Sequence, residues 1–476
     1  MFNENSIHKF EDLIKHSNEY FIENELKPFL RIPSNTLNKE GITKAVDFIK
    51  SYISDFSDDV KEFKGEINPL LLAKVKGKSN KSLLIYMMYD TQPINNKGEW
   101  ISDPFEAKVK ILPPPLDSLG KCIIARGAYN SKSPLICFLN VIKLLKENDE
   151  LPISLLLLFD GSEEMGSPGL MRLLETNKKI FEKCVDTYYP STKQDLSGNS
   201  VLKLGYKGIL SLTLNIYTKN KEPHSAFSAM IPNPATELIS LLNTIYSNNE
   251  FLISILKKPY LLTEEESDLI DKLMEDLDIE NIKNKAGIVE TVEDDPKKAF
   301  IDYLFKPTFN LSTLKSGFLE EGTKNMVANQ ALCNIDIRFA HDISVDDIYN
   351  EIEEIVNNFS HQLKAHVELI KNVGYEGSRV NKDSILIRSL IKSFDMCGFH
   401  TKIWPLSAAA APLSKIQKEL GLDFIVGGLG IGGFAHAPNE FVQVDSIINT
   451  RLSNYYFLVN YSKMIENKKK NERKAH

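Results

Sequence analysis

The first two hundred residues alternate between short apolar segments and longer amphipathic ones. Leu70–Val75, Leu83–Tyr89 and Ile153–Phe159 each have the length and apolar character of a buried strand. Between the last two, Pro134–Glu147 carries its apolar residues at helical spacing. Strands that alternate with helices favour an α/β domain built on a mixed, mostly parallel and buried sheet.

The pattern changes at the predicted strand Ile209–Tyr217, which alternates apolar and polar residues. From there to Ile370 the elements follow the order strand, helix, strand, strand, helix, strand, the pattern of a small ferredoxin-like α+β domain. The α/β pattern resumes at about Gly374. We therefore predict an α/β domain interrupted by an inserted ferredoxin-like domain, with these limits: residues 1–207 and 373–476 for the first, and 208–372 for the second, including a charged insertion at about 250–307.

The chain has 476 residues and a net charge of −7, with 57 basic and 64 acidic side chains. This balance argues against a nucleic-acid-binding surface. No apolar run reaches the roughly 18 residues needed to cross a membrane, and the N-terminal stretch lacks the apolar core of a signal peptide. The five cysteines are scattered through apolar segments, which is typical of buried, reduced thiols. We therefore expect a cytoplasmic protein with no nucleic-acid or membrane partner.

Six short segments carry residues of interest for chemistry. In chain order they are LLIYMMYDTQP (83–93), ARGAYNSKSP (125–134), FDGSEEMGSPGL (159–170), PHSAFSAMIPNP (223–234), NMVANQALCNIDIRF (325–339) and GGFAHAPNEFV (432–442). Together with the two-domain layout, these segments resemble the dinuclear-zinc aminoacylase, carnosinase and glutamate carboxypeptidase family. The resemblance extends along nearly the whole chain and implies that the inserted domain is a lid and dimerisation domain.

The resemblance implies a centre in which two zinc ions share one bridging carboxylate and one water, each zinc having three protein ligands. The metals lower the pKa of that water and polarise the scissile amide of a dipeptide or N-acyl amino acid. A glutamate carries the proton of the water to the leaving amine. A lid histidine, often from the other subunit of a dimer, steadies the oxyanion.

Four residues of the α/β part match this scheme. Glu163 stands where the general base is expected, and Glu164 where the adjacent metal ligand is expected. His436 matches the C-terminal metal ligand, and Asp90 matches the carboxylate that orients the first metal histidine. Outside this pattern, paired glutamates are commonly solvated turn residues, and a lone histidine is commonly structural.

Residues of the inserted domain match lid positions. His224 corresponds to the lid histidine, which acts on the oxyanion and contacts the substrate. Asn325 and Arg338 correspond to residues that hold the substrate carboxylate. For Arg338, a charge paired at a strand end is an equally good interpretation. Ala410 stands where the family often has serine or glycine beside that carboxylate.

Three of the five metal positions carry residues that bind zinc poorly. Met88 replaces the first histidine with a soft, neutral thioether. Asn130 replaces the bridging aspartate with an uncharged amide, whose N–H₂ group a cation repels. Thr192 falls near the last carboxylate ligand, but its segment lacks a firm anchor, so Asp186 and Asp195 are alternative counterparts.

The substitutions fall mainly on one metal. That metal would use Met88, Asn130 and Thr192, all of them poor ligands. The other would use Glu164, His436 and Asn130, of which two are good ligands. We therefore predict that the dinuclear centre does not form. The protein is expected to bind no zinc, or one zinc weakly, where intact relatives bind two.

Three functions fit this pattern. The first is a pseudoenzyme, which keeps the fold for binding or assembly. The second is a single-metal amidase or peptidase on a small carboxylate-bearing substrate, with Glu163 as the base. The third is a protein that binds an amino acid or dipeptide through His224, Asn325 and Arg338. Because lid domains of the family usually dimerise, we expect a homodimer, or a heterodimer in which His224 completes the cleft of an active relative.

Overall fold

The computed structural model describes residues 4–277, 279–286 and 288–475 of the chain. The chain forms two compact units, each assembled from separate stretches of sequence. The first unit comprises Met1–Leu204, Val380–Trp404 and Lys415–His476. The second comprises Gly205–Arg379 and Pro405–Ser414.

The helices of the described residues follow the apolar periodicity of the sequence. They are α1 (Glu4–His16), α2 (Asn18–Phe21), α3 (Lys27–Leu30), α4 (Lys39–Ile53), α5 (Lys132–Glu147), α6 (Pro168–Thr176), α7 (Pro234–Ile245), α8 (Ser254–Lys257), α9 (Glu264–Met274), α10 (Ile279–Ala286), α11 (Pro296–Phe305), α12 (Val345–Ser360), α13 (Ile385–Met396), α14 (Ser414–Leu420) and α15 (Ile447–Ala475). Polar residues cap several of them. The side chain of Ser344, for example, accepts a hydrogen bond from the Asp346 N–H at the start of α12.

The strands of the described residues include both long core strands and two-residue pairs. They are β1 (Asp59–Phe63), β2 (Leu70–Val75), β3 (Ser82–Met88), β4 (Lys108–Ile111), β5 (Lys121–Ile124), β6 (Ser154–Asp160), β7 (Cys184–Pro190), β8 (Ser200–Lys203), β9 (Gly205–Tyr217), β10 (Tyr246–Ser247), β11 (Glu250–Phe251), β12 (Thr308–Ser316), β13 (Gln330–Phe339), β14 (His366–Tyr375), β15 (Ser378–Arg379), β16 (Thr401–Trp404), β17 (Ser407–Ala410), β18 (Phe424–Gly427), β19 (Gly432–Gly433) and β20 (Phe441–Gln443). The main strands predicted from sequence are confirmed, with ends shifted by a few residues.

The first unit is built on a six-stranded mixed sheet with the order β1-β2-β6-β3-β7-β18. Strands β6, β3, β7 and β18 run parallel to one another, whereas β1 and β2 are antiparallel additions at one edge. The apolar runs of β3 and β6 are buried along almost their whole length, as expected for central parallel strands. The carboxyl ends of the parallel strands therefore meet at one edge, where ligands bind in open α/β sheets.

A smaller sheet in the same unit has the order β19-β20-β5-β4. Its core is a cluster of Trp100, Leu112, Cys122, Ile124 and Phe441. Strands β20 and β5 are antiparallel neighbours, so the loop before β20 lies beside the turn that follows β5. These two segments carry HAPNE and GAYN, two of the segments that the sequence singled out.

The second unit contains a sheet with the order β12-β13-β9-β14, which is the strand order of a ferredoxin-like domain. Helices α7 and α12 bury their apolar faces against this sheet. The charged insertion folds largely into helices α8 to α11. It is held by the buried Lys207 of β9, whose ammonium donates hydrogen bonds to the Tyr303 and Lys306 carbonyls at the end of α11.

The limits of the two units differ from the sequence-based domain limits of 207 and 372 by several residues. The reason is the length of β9, which begins at Gly205 and pairs with two short strands from later in the chain. Strand β15 pairs antiparallel with β9, and β17 pairs parallel with it. Residues 405–414 thus join the second unit, although the sequence assigned them to the α/β part.

No helix of the described residues is long and apolar enough to cross a membrane. All five cysteines are free thiols, and four of them are buried.

Candidate functional site

The candidate site lies at the carboxyl edge of the six-stranded sheet. Met88 ends β3 and is paired in register with Asp160, which ends β6. Asp90 follows β3 and Glu163 follows β6, so the parallel register brings the two carboxylates to the same edge. Thr192 follows β7 at the next position along the sheet.

Asp90 organises the turn that carries the paired glutamates. Its buried carboxylate accepts hydrogen bonds from the Thr36 hydroxyl at 2.9 Å and from the N–H groups of Glu163 and Glu164 at 3.2 and 3.3 Å. Burial raises the pKa of Asp90 to about 8, and the nearby Asp160 carboxylate adds to the effect. Asp90 therefore positions the two glutamates through their backbone N–H groups. Met88 offers no ring N–H, so Asp90 has no histidine to orient at that position.

Glu164 and His436 are joined directly. His436 Nε2 lies 3.2 Å from Glu164 Oε2, and Gln92 Nε2 donates to the same oxygen at 2.8 Å. The hydrogen bond with Glu164 raises the pKa of His436 above its usual value. His436 also has a positive φ of 66°, a backbone conformation that is uncommon for residues other than glycine. Glu164 and His436, two of the three residues that the sequence predicted as ligands of a single metal, are thus hydrogen-bonded to protein groups.

Glu440 holds the turn that follows β5. Its buried carboxylate pairs with Arg126 at 3.0 Å and accepts hydrogen bonds from the N–H groups of Gly127, Tyr129 and Asn130 at 2.9 to 3.1 Å. Gly127 adopts a φ of 86°, and a Cβ there would approach Ser131 and Thr91 to 3.0 Å. One carboxylate therefore fixes the conformation of the turn that carries Asn130.

The other half of the site consists of neutral groups. Asn130 Nδ2 lies 4.0 Å from Met88 Sδ and 3.5 Å from His436 Nε2. The Thr192 hydroxyl donates to the Tyr129 carbonyl at 2.9 Å, which places Thr192 against the Asn130 turn. Met88 and Thr192 are each 1 % exposed, so neither is a solvated surface residue.

The two alternative counterparts of the last carboxylate ligand are engaged elsewhere. Asp186 lies within β7 and accepts a hydrogen bond from the Tyr461 hydroxyl of α15. Asp195 accepts hydrogen bonds from the backbone and side chain of Asn199 and lies 3.7 Å from Lys402. Of the three candidates, Thr192 is the one whose side chain contacts the Asn130 turn.

The half-buried Glu163 lies near Lys193, the residue directly after Thr192. Burial raises the pKa of Glu163 well above its usual value, and the neighbouring carboxylates Glu164 and Asp90 add to this, whereas the Lys193 ammonium opposes it.

Lys193, Gln92 and Glu440 were not predicted from the sequence. Gln92 lies two residues after Asp90, and Glu440 lies within HAPNE, so both stand in recognised segments. Lysine beside a metal position is not a pattern that sequence reasoning associates with this chemistry.

Comparisons with known proteins decide the family. The model of peptidase family M20/M25/M40 matches residues 84–457, which is well over half of the chain. The chain belongs to the M20 family. The Cys-Gly metallodipeptidase dug1 of Schizosaccharomyces pombe is 29 % identical over 310 residues, which cover 63 % of this chain and 62 % of that protein.

Two other known proteins are also similar to the chain. The Beta-Ala-His dipeptidase of Rattus norvegicus is 25 % identical over 277 residues, covering 57 % of this chain and 54 % of that protein. The aligned parts thus span less than two thirds of these two relatives' own lengths. The crystal structure of the M20 family metallo-carboxypeptidase Sso-CP2 from Sulfolobus solfataricus matches with a TM-score of 0.82 and 26 % identity, covering 92 % of this chain and 98 % of that one.

The donor set of this M20 member does not fit a dinuclear zinc centre. Met88 and Thr192 are neutral, and Thr192 directs its hydroxyl hydrogen at a backbone carbonyl. Asn130 brings no negative charge to the position where two cations would share a carboxylate. Among residues 4–277, 279–286 and 288–475, no cluster of three or more His, Cys, Asp or Glu side chains could hold a metal ion.

The predicted lid residues belong to the second unit. His224 caps a short 3₁₀ turn, its Nδ1 accepting a hydrogen bond from the Ala226 N–H at 3.1 Å. The Ser225 N–H donates to the Asn325 carbonyl at 3.1 Å, so His224 and Asn325 lie on adjacent segments. Arg338 is half-buried in β13, and the described residues show no ion pair for it. Their roles in substrate binding stay predictions.

Proposed function

We propose that this M20 member has lost dinuclear-zinc amide hydrolysis and uses the family's cleft to bind a small carboxylate-bearing molecule or an active partner chain. The proposal rests on the lack of charge in the half-site formed by Met88, Asn130 and Thr192. All three groups are uncharged, and the hydroxyl and the amide make hydrogen bonds within the protein. A zinc ion there would have no anionic ligand to offset the loss of its hydration shell.

The relatives suggest which ligand to try first. The similar proteins are named as Cys-Gly and Beta-Ala-His dipeptidases. We therefore expect a dipeptide or a related amino-acid derivative to be the bound class. An assembly role would use the lid, with His224 acting in the cleft of an active relative.

The test is a turnover assay on the full chain with added zinc. Cys-Gly and β-Ala-His are incubated with the protein, and release of the free amino acids is measured by chromatography. We expect no release above that of a Glu163→Gln control. Release that exceeds this control would show an active peptidase and would overturn the proposal.

One observation favours a second function, a single-metal amidase. His436 Nε2 lies 3.2 Å from Glu164 Oε2 and 3.5 Å from Asn130 Nδ2. Rotating the Asn130 side-chain amide by half a turn would place its oxygen where its nitrogen lies. Such a site would have one formal negative charge from Glu164, with Glu163 beside it as the base. It predicts metal-dependent turnover that both Glu163→Gln and His436→Ala abolish.

A further inference from the structure

Lys193 lies beside the half-site that lacks metal ligands, and a second lysine, Lys203, is near enough for its charge to interact with that of Lys193. Lys193 directly follows Thr192, and Lys203 ends β8. Both are half-buried. Within the part of the chain that the structure describes, neither ammonium donates a hydrogen bond or forms an ion pair. Their contacts are with aromatic rings: Lys193 Nζ lies 5.6 Å from the centre of the Tyr129 ring, and Lys203 Nζ lies 5.0 Å from the centre of the Trp404 ring.

The backbone brings the two lysines together. The chain turns back between them, with Gln194 and Ser200 forming an antiparallel bridge and the Val201 N–H donating to the Lys193 carbonyl at 2.8 Å. The Lys193 N–H donates to the Gly428 carbonyl at 3.2 Å, which fixes this turn against the loop after β18. Lys193 therefore follows β7 at the carboxyl edge of the six-stranded sheet, whereas Lys203 ends β8, which pairs with β16 in a separate two-stranded sheet.

The local charges do not balance. Lys193 interacts favourably with the Glu163 carboxylate, whereas Lys203 is repelled by Lys193. The other carboxylates nearby are already satisfied, since Glu164 is paired with His436 and Asp90 accepts three hydrogen bonds. Lys193 thus has one carboxylate nearby, and Lys203 adds a second positive charge that forms no ion pair with a carboxylate of the described residues. Removing cations from water without enough partners is costly, so one further negative charge would be stabilised here.

The surroundings of Lys203 disfavour its charged form. Burial lowers the pKa of Lys203 to about 8, with the Lys193 charge adding to the effect. A divalent cation placed between these groups would meet repulsion. A compact anion would instead accept hydrogen bonds from both ammonium groups, each of which has three donors.

We propose that Lys193 and Lys203 form an anion subsite that binds the carboxylate of a small ligand in the half of the cleft where metal ligands are missing. The assignment rests on the proposed function, because a zinc ion at this half-site would compete with the lysines for the same space and charge. A carboxylate is favoured over phosphate because the imbalance amounts to one charge and Glu163 would repel a second. The subsite lies wholly in the first unit and is distinct from the predicted lid contacts of Asn325 and Arg338.

The test measures binding of glycylglycine to the full chain by titration calorimetry, with glycylglycinamide and inorganic phosphate as comparison probes. We expect the free carboxylate to be required, so the amide should bind at least about tenfold more weakly, as should phosphate. Lys193→Gln and Lys203→Gln should each weaken glycylglycine binding by roughly tenfold, the loss of one charge-assisted hydrogen bond. Lys108→Gln, which alters a surface lysine paired with Glu106, is the matched control and should bind as the parent does.

Each other outcome overturns the assignment. Equal binding of the dipeptide and its amide, tighter binding of phosphate, absence of binding, or unchanged affinity in both lysine variants would each contradict it. Loss of binding in Arg338→Gln alone would place the carboxylate in the lid. If Lys203→Gln does not fold, as judged by circular dichroism, Lys193→Gln decides the question, with Lys193→Arg expected to retain binding. Zinc-dependent cleavage of glycylglycine by the parent protein would contradict the proposed function, separately from the lysine results.

Discussion

On one side of the cleft, Glu164, His436 and Gln92 form a connected polar group, whereas on the other side Met88, Asn130 and Thr192 bring no charge at all. Each side combines residues at the carboxyl edge of the six-stranded sheet with one residue from a turn of the smaller sheet, and both sides belong to the first unit. The polar side keeps residues that bind metals and satisfies them with one another. The neutral side has no anionic group among Met88, Asn130 and Thr192 and has Lys193 beside it. The comparison shows that the two sides differ in charge although the same two sheets position both of them.

The largest effect should come from restoring the neutral side. We expect the variant carrying Met88→His, Asn130→Asp and Thr192→Asp to bind two zinc ions per chain, because it regains one imidazole and two carboxylates in a preformed geometry. Dipeptide hydrolysis should appear with the metal, and adding Glu163→Gln should lower it by roughly 10²–10⁴-fold.

The single substitution Asn130→Asp is the control for this prediction, since it restores only the bridging charge and should not produce a second bound zinc. A restored variant that folds but still binds no zinc would show that the difference between the two sides is more than a loss of ligands. The lysines would then be the first groups to replace.

The next effect concerns the scaffold that both sides share. Glu440→Ala leaves the buried Arg126 without its partner and removes the acceptor for three N–H groups. We expect the free energy of unfolding to fall by roughly 3–5 kcal/mol, measured by urea denaturation.

Glu419→Ala is the matched control, because it removes an exposed pair with Lys178 at 2.8 Å and should cost about 0–1 kcal/mol. Equal losses in the two variants would contradict the role assigned to Glu440 as the residue that fixes the Asn130 turn.

The smallest effect tests the polar side alone. The hydrogen bond to Glu164 raises the pKa of His436, so Glu164→Gln should lower that pKa toward about 6.5, as followed by NMR titration of the ring. Because the folded-state pKa is raised, the pair contributes its full stability below the unfolded-state pKa and loses it as pH rises through the folded-state value. A His436 pKa that does not respond to Glu164→Gln would mean that the two residues are not paired in solution.

The sequence predicts much of this site because its residues follow visible strands. Asp90, Glu163 and Glu164 lie just after apolar runs that could be assigned to a parallel sheet, and the structure brings them to one edge. Thr192 was uncertain because its segment has no distinctive pattern, and only its contact with the Tyr129 carbonyl locates it.

The remaining parts depend on contacts between distant segments. Glu440 reaches the Asn130 turn from 310 residues further along the chain, and no local periodicity reports such a pairing. The Lys193 ammonium contacts the Tyr129 ring and interacts with the charge of Lys203. Neither property can be predicted from the residues that neighbour Lys193 in the sequence. The limits of the two units were displaced for a similar reason, since β9 pairs with the short strands β15 and β17 near the end of the chain.

The most direct test of the central claim is the zinc content of the full chain, purified without chelator, dialysed against excess zinc, freed of unbound metal and measured by elemental mass spectrometry. We expect no stoichiometric zinc in the parent protein and two zinc ions per chain in the restored triple variant. One zinc per chain that is lost in His436→Ala would favour the single-metal amidase. Two zinc ions in the parent protein would contradict the claim that the Met88, Asn130 and Thr192 side cannot hold a metal.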